Sequence, residues 1–307
     1  MSRQRLRWPL RAVASAIRAV VGCFARARTS RWLPTRLGDC LLWVRAGVGV
    51  SGPWSLVTRW ADRTHGRALE ARAPTDCPTL VWASLPLRER PALRFDSGGG
   101  MLEVSSPLPP GGGAELAVFV VFSAARRALC ATPCSATGAT PAMRRVVSCV
   151  VDDTYAGIDL GERSELRVAL PDGRSGASGV HILPDRPYVV GLVVEARAAV
   201  LLVDGARVRR FTRSRPPHSR PRAPLLRLMV GARRGSPSCF AGDLGDLVVY
   251  RRALGPLESA ALSASLMRRY AVGQPRRPRA IDRLRRLLGT VRAALAEICY
   301  GTPRGAA

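Results

Sequence analysis

The run CFAGDLGDLVVYRRAL at residues 239–254 leaves this chain few folds to choose from. Gly242 and Gly245 permit tight backbone geometry, and Leu247-Val248-Val249-Tyr250 is apolar and β-branched enough for a sheet interior. Gly255 and Pro256 then open a helix, with proline at the first helical position, where its missing N–H costs nothing. Leu262, Leu266 and Tyr270 recur at helical spacing and would pin that helix to the sheet. The expected order is a turn, a buried strand and a capped helix. Asp246 is expected to hydrogen-bond nearby backbone where the strand starts.

The pattern F-x-G-D-[IL]-x-[ED]-[ILV]-x-V-Y-x-R-x-L, followed by a helix ending in an aromatic, resembles the closing segment of concanavalin A-like lectin/glucanase domains of the laminin-G-like type. Three further stretches fit that family in order. Leu41 to Val50 (LLWVRAGVGV) is similar to its opening strand, and Val57 to Arg67 (VTRWADRTHGR) looks like its V-x-x-W-x-D-x-S-G-N-G-R. Pro91 to Asp96 with Met101 to Val104 (PALRFD, MLEV) resembles P-A-L-R-F-D-G…L-E-V.

The middle of the chain reads as β throughout. Leu116 to Phe122 is a dense apolar strand; Val146 to Val151, Leu166 to Leu170, Tyr188 to Val194 and Ala199 to Val203 follow, and Asp204-Gly205 marks a hairpin turn. Short strands at regular spacing argue for two packed sheets. The expected fold is all-β, a concanavalin A-like jelly-roll β-sandwich over residues 39–273. It is flanked by a basic amphipathic segment (1–38) and a basic linker with a C-terminal amphipathic helix (274–307).

The formal charge of +26 suggests a polyanion partner, yet all 48 basic residues are arginine. Complete exclusion of lysine, with abundant Ala, Gly and Pro, looks like GC-rich coding, so nucleic acid is not the favoured partner. Residues 1–37 hold nine arginines and no acid, and Arg3, Arg7, Arg11 and Arg18 fall on one helical arc. Such a helix can lie on an anionic membrane surface; it also resembles an organelle-targeting presequence, or can pack on the sandwich. Arg11 and Arg18 interrupt the apolar run, against both a transmembrane span and an ordinary signal-peptide core. Ile281, Leu284, Leu288, Val291, Leu295 and Ile298 form the apolar stripe of the C-terminal helix. Eight cysteines at this length are too few for a disulfide scaffold and read as buried free thiols.

Glycosidases need two carboxylates across the scissile bond, and an E-x-D-x-x-E triplet is missing here. The sequence therefore predicts a chain that is not an enzyme. Asp152 and Asp153 end a strand and are candidate calcium ligands, although paired aspartates there also serve as turn formers. Tyr155 beside them offers an apolar face to a sugar ring. Trp60 and Asp62 read as a core indole and a turn-capping carboxylate. The expected function is recognition of a glycan or a protein surface through sandwich loops. The alternative is a structural or membrane-peripheral protein attached by its termini, with a polyanion binder third and a divergent glycosidase last.

Overall fold

In the computed structural model, residues 34–274 are described except 97–99, 107, 109–114, 127–143, 152–153, 162–163, 171–172, 213–225 and 232–238. The two basic amphipathic stretches, Arg3 to Phe24 and Ile281 to Ile298, lie outside the described residues. Gly273 begins a second unit of the chain, of which only Gly273 and Gln274 are described.

The strands in chain order are β1 (Cys40–Arg45), β2 (Val50–Ser51), β3 (Arg59–Ala61), β4 (Ala68–Glu70), β5 (Thr79–Ser84), β6 (Arg90–Phe95), β7 (Leu102–Val104), β8 (Leu116–Ala124) and β9 (Arg144–Val151). They continue as β10 (Thr154–Leu160), β11 (Glu165–Ala169), β12 (Ser175–His181), β13 (Tyr188–Val194), β14 (Ala198–Val203), β15 (Ala206–Thr212), β16 (Leu226–Val230) and β17 (Gly242–Tyr250). The helix α1 (Pro256–Arg269) follows. The first sheet runs β15-β14-β13-β8-β17-β6-β5, with β1 also paired to β17. The second runs β12-β11-β10-β9-β16-β7-β4-β3-β2. All pairings within these sheets are antiparallel. The chain is an all-β sandwich, as the sequence indicates.

Every residue of β8, β13 and β17 is buried, because both faces of the first sheet are covered. Val118, Val120 and Phe122 face the second sheet and meet Trp60, Leu69, Val147, Ile158 and Leu228. Phe119 and Val121 point the other way, into a layer closed by Leu262 and Leu266 of α1 and by Tyr270 just after it. That double cover explains runs that show no polar alternation. The helix starts as expected, at Gly255 and Pro256, and the Glu258 carboxylate reaches back to accept the Gly255 N–H at 2.8 Å.

Asp246 is fully buried, and its carboxylate does not bond backbone as expected. It pairs instead with Arg269 at 2.5 Å and Arg45 at 3.6 Å. Gly245 is required by close approach: a Cβ there would sit 2.5 Å from the Tyr270 hydroxyl and 2.6 Å from its ring. The Asp204-Gly205 turn has φ of 49° and 80° at its two central residues, the hairpin geometry that this dipeptide favours. Trp60 is a core indole, and Asp62 caps its turn by accepting the His65 and Trp43 N–H groups at 2.7 Å each.

Candidate functional site

A recess of about 210 Å³ opens where β6 and β8 end and β17 begins, lined by Pro86, Arg94, Ser123, Asp185, Gly242 and Asp243 among others. Four separate parts of the chain deliver its polar groups. Arg94 comes from β6, Ser123 from the end of β8, Asp185 from the turn before β13, and Asp243 from the closing strand. Its floor includes Phe95, which packs with Phe240 and, through it, Phe122; ring centroids lie 6.2 and 5.8 Å apart.

The electrostatics centre on Asp243, which is nearly inaccessible. Arg94 grips it with Nε at 2.7 Å and Nη2 at 2.9 Å, and the Ser84 hydroxyl donates to it at 2.5 Å. Such bidentate, charge-assisted contacts are the strong class of hydrogen bond. The bond to Asp243 raises the Arg94 pKa, with smaller contributions from Asp96 and Asp185 against an opposing effect of burial. Arg94 keeps 42% of its side chain exposed, so its remaining N–H groups are offered to the recess. Ser123 adds a second feature: its hydroxyl is buried and has no hydrogen-bond partner among the described residues. A buried hydroxyl left unmatched costs free energy unless something in the recess supplies the bond. Gly242 must be glycine, since a Cβ would fall 2.2 Å from the Ser123 carbonyl oxygen. The recess thus presents a guanidinium edge and an exposed carboxylate, with the inaccessible Ser123 hydroxyl inside its wall, in a space below the roughly 300–1,000 Å³ of drug-sized sites.

Two indoles stand out elsewhere. Trp54 is fully exposed at the tip of the 52–58 loop, and Trp82 is 67% exposed on edge strand β5. The loop is fastened to that strand by Leu80 N–H to Ser55 O at 2.7 Å and Val57 N–H to Pro78 O at 2.8 Å.

The candidate calcium ligands Asp152 and Asp153 lie outside the described residues. Tyr155 has its backbone in β10, paired with Val150 of β9. Among the described residues, no group of three or more His, Cys, Asp or Glu is placed to hold a metal, and no helix is long and apolar enough to cross a membrane. The recess was not visible in the sequence, apart from Asp243 in the closing motif. The signal that could have found it is Ser123, a polar residue ending an otherwise apolar strand.

No protein-family model matches the chain, and no curated protein matches it in sequence. Solved structures do. Trypanosoma rangeli sialidase in complex with sialic acid superposes with a TM-score of 0.52 at 13% identity, over 77% of this chain and 34% of that one. Domain 4 of a GH43 extracellular arabinanase from Geobacillus stearothermophilus, in complex with arabinotriose, gives 0.50 at 12% identity, over 73% and 98%. The binding domain of Paraclostridial Mosquitocidal Protein 1 gives 0.52 at 11% identity, over 74% and 52%. This chain spans about a third of the sialidase's length. At these identities the likeness shows the fold alone, a β-sandwich.

It also corrects the expectation that the chain is not an enzyme. The sandwich recurs within a sialidase and as a domain of an arabinanase. The physical reason is that a linear acidic triplet is a poor criterion. Folding brings Asp185 and Asp243, 58 residues apart in sequence, into the lining of one recess.

Proposed function

We propose that this chain is a saccharide-recognition sandwich of the laminin-G-like type, which holds a single sugar residue in the recess at the ends of β6, β8 and β17. The observation that carries this reading is the unmatched Ser123 hydroxyl beside the exposed edge of Arg94. Sugar hydroxyls both donate and accept, so one ligand group can satisfy Ser123 while another accepts from the guanidinium. Similar folds in chains solved with sialic acid and arabinotriose support a sugar over other small polar ligands. The lining also bears on which sugar. Asp185, Asp243 and nearby Asp96 surround one arginine already committed to Asp243. A neutral sugar fits that balance better than a carboxylated one.

A glycan-array screen of the full chain, with reducing-end release measured on each sugar bound, tests the reading. Binding to a class of neutral glycans, lost in Asp185→Ala, is expected; an array on which only sialylated glycans bind contradicts it. The exposed indoles favour a second reading, stacking of the ligand on Trp54 and Trp82. Loss of array binding in the Trp54→Ala/Trp82→Ala variant, with none in Asp185→Ala, would move the site to that edge.

A further inference from the structure

The margin where β2 ends the second sheet and β5 ends the first carries a different kind of surface. Of the large hydrophobics exposed among the described residues, all but Leu183 and Leu257 come from two stretches, 48–56 and 82–85. The fold brings these stretches together. Leu56 bridges to Thr79 of β5, and a Cβ added to Gly47, beside Val48, would lie 3.5 Å from the Trp82 ring.

The margin is also without charge. Residues 46–58 and 77–87 contain no Arg, His, Asp or Glu in a chain that is 23% charged, so the charges that usually blunt a sheet edge are left out here. The first sheet's other edge, β15, carries Arg207, Arg209 and Arg210. The tip of the margin is strained as well. Pro53 to Leu56 form a turn closed by the Leu56 N–H to the Pro53 carbonyl at 3.0 Å, and Trp54 within it has a φ of 56°. A bulky residue in the left-handed region is unfavourable, and Trp54 recovers nothing by packing, since its side chain is fully exposed. Glycine or asparagine would serve this turn better.

We infer that this margin docks on an anionic membrane, with the Trp54 tip entering the interface between headgroups and acyl chains. Tryptophan favours that depth, because its ring is apolar while its N–H can still bond. Charge complementarity favours an anionic lipid surface. Glu70, Asp76 and Glu89 stand near the margin together with arginines, so the attraction comes from the chain's whole charge of +26 and not from a local cluster. A second copy of the chain carries the same charge and is repelled. A sugar stacked on the indoles would find few side chains for its hydroxyls, since neither stretch is charged and Thr58 already donates to the Ser51 carbonyl at 3.2 Å.

Val48, Trp54, Leu56 and Trp82 are not among the residues lining the recess, so either proposal can fail alone. The test is co-sedimentation of the full chain with phosphatidylcholine vesicles, with and without phosphatidylserine, in about 0.15 M salt. Binding that requires phosphatidylserine is expected, with a blue shift of tryptophan emission as the indole leaves water. Trp54→Asn should weaken binding about tenfold or more and remove most of the shift. Its Tm should equal or exceed that of wild type, because asparagine tolerates the positive φ; a lowered Tm would give Trp54 a packing role and overturn the inference. Trp82→Ser provides a second reading, with a loss of about threefold or more. Arg3→Gln/Arg5→Gln/Arg7→Gln tests attachment through the N-terminal segment: loss in this variant alone, with both tryptophan variants binding like wild type, overturns the inference. So do vesicles that fail to bind the wild-type chain, binding of neutral glycans that Trp54→Asn abolishes, and a dimer in sedimentation velocity that Trp54→Asn dissociates.

Discussion

Gly245→Ala is the sharpest probe of how the closing segment holds the sandwich together. The new methyl would meet the Tyr270 hydroxyl at 2.5 Å and two ring carbons at 2.6 Å, all well inside contact distance. Tyr270 cannot swing away, because it is 2% exposed and sits in the outer core layer with Leu262, Leu266 and Tyr250. Forcing a methyl into a packed layer costs about 2–3 kcal/mol, which for a chain of this size lowers Tm by about 4–10 °C. The clash has one partner, so it should vanish with that partner. In a Tyr270→Leu background, Gly245→Ala should cost less than about 1 kcal/mol, a coupling well above the additivity error. Thermal and urea unfolding of the four proteins in the cycle measure this. Additive losses, or a Gly245→Ala protein within about 0.5 kcal/mol of wild type, would refute the claim that Tyr270 dictates glycine here.

Three other outcomes follow from the same packing. Glu258 is held down to about 2 by its hydrogen bonds to Arg252, helped by the Gly255 N–H. A depressed folded pKa means stability present above pH 4.5 and lost as pH falls toward 2, so Glu258→Gln should flatten the acid limb of a Tm-against-pH curve. Because that side chain is about a third exposed, screening limits the effect at neutral pH to about 1 kcal/mol. Burial pushes the Cys40 and Cys149 thiols up to about 12. Peptide mapping after alkylation at pH 8 should find both unmodified in the native protein and modified after denaturation. Asp159 is buried against Arg145 at 2.8 Å, and Asp159→Asn should cost about 3 kcal/mol or more by urea unfolding.

The parts of the fold legible in the sequence are those whose cause is local. The closing strand announces itself through two glycines and a dense apolar run, and the helix through Gly255-Pro256 and the spacing of Leu262, Leu266 and Tyr270. The β14–β15 hairpin needed only Asp204-Gly205. Asp246 was misjudged because its partners, Arg45 and Arg269, come from a strand 201 residues earlier and a helix 23 residues later. The recess was hidden for the same reason, since Arg94, Ser123, Asp185 and Asp243 meet only once the first sheet is assembled. The exposure of Trp54 and Trp82 depends on which strands become edges, and periodicity carries no such information.

Ser123→Ala, assayed for stability and sugar affinity together, tests the central claim most directly. The hydroxyl has no partner within the described protein, so its removal should leave Tm unchanged or higher. If it serves a sugar in the recess, affinity for the neutral glycan selected by the array should fall about three- to tenfold by titration calorimetry. A Ser123→Ala protein that binds the glycan as tightly as wild type would contradict the assignment of the recess as the binding site.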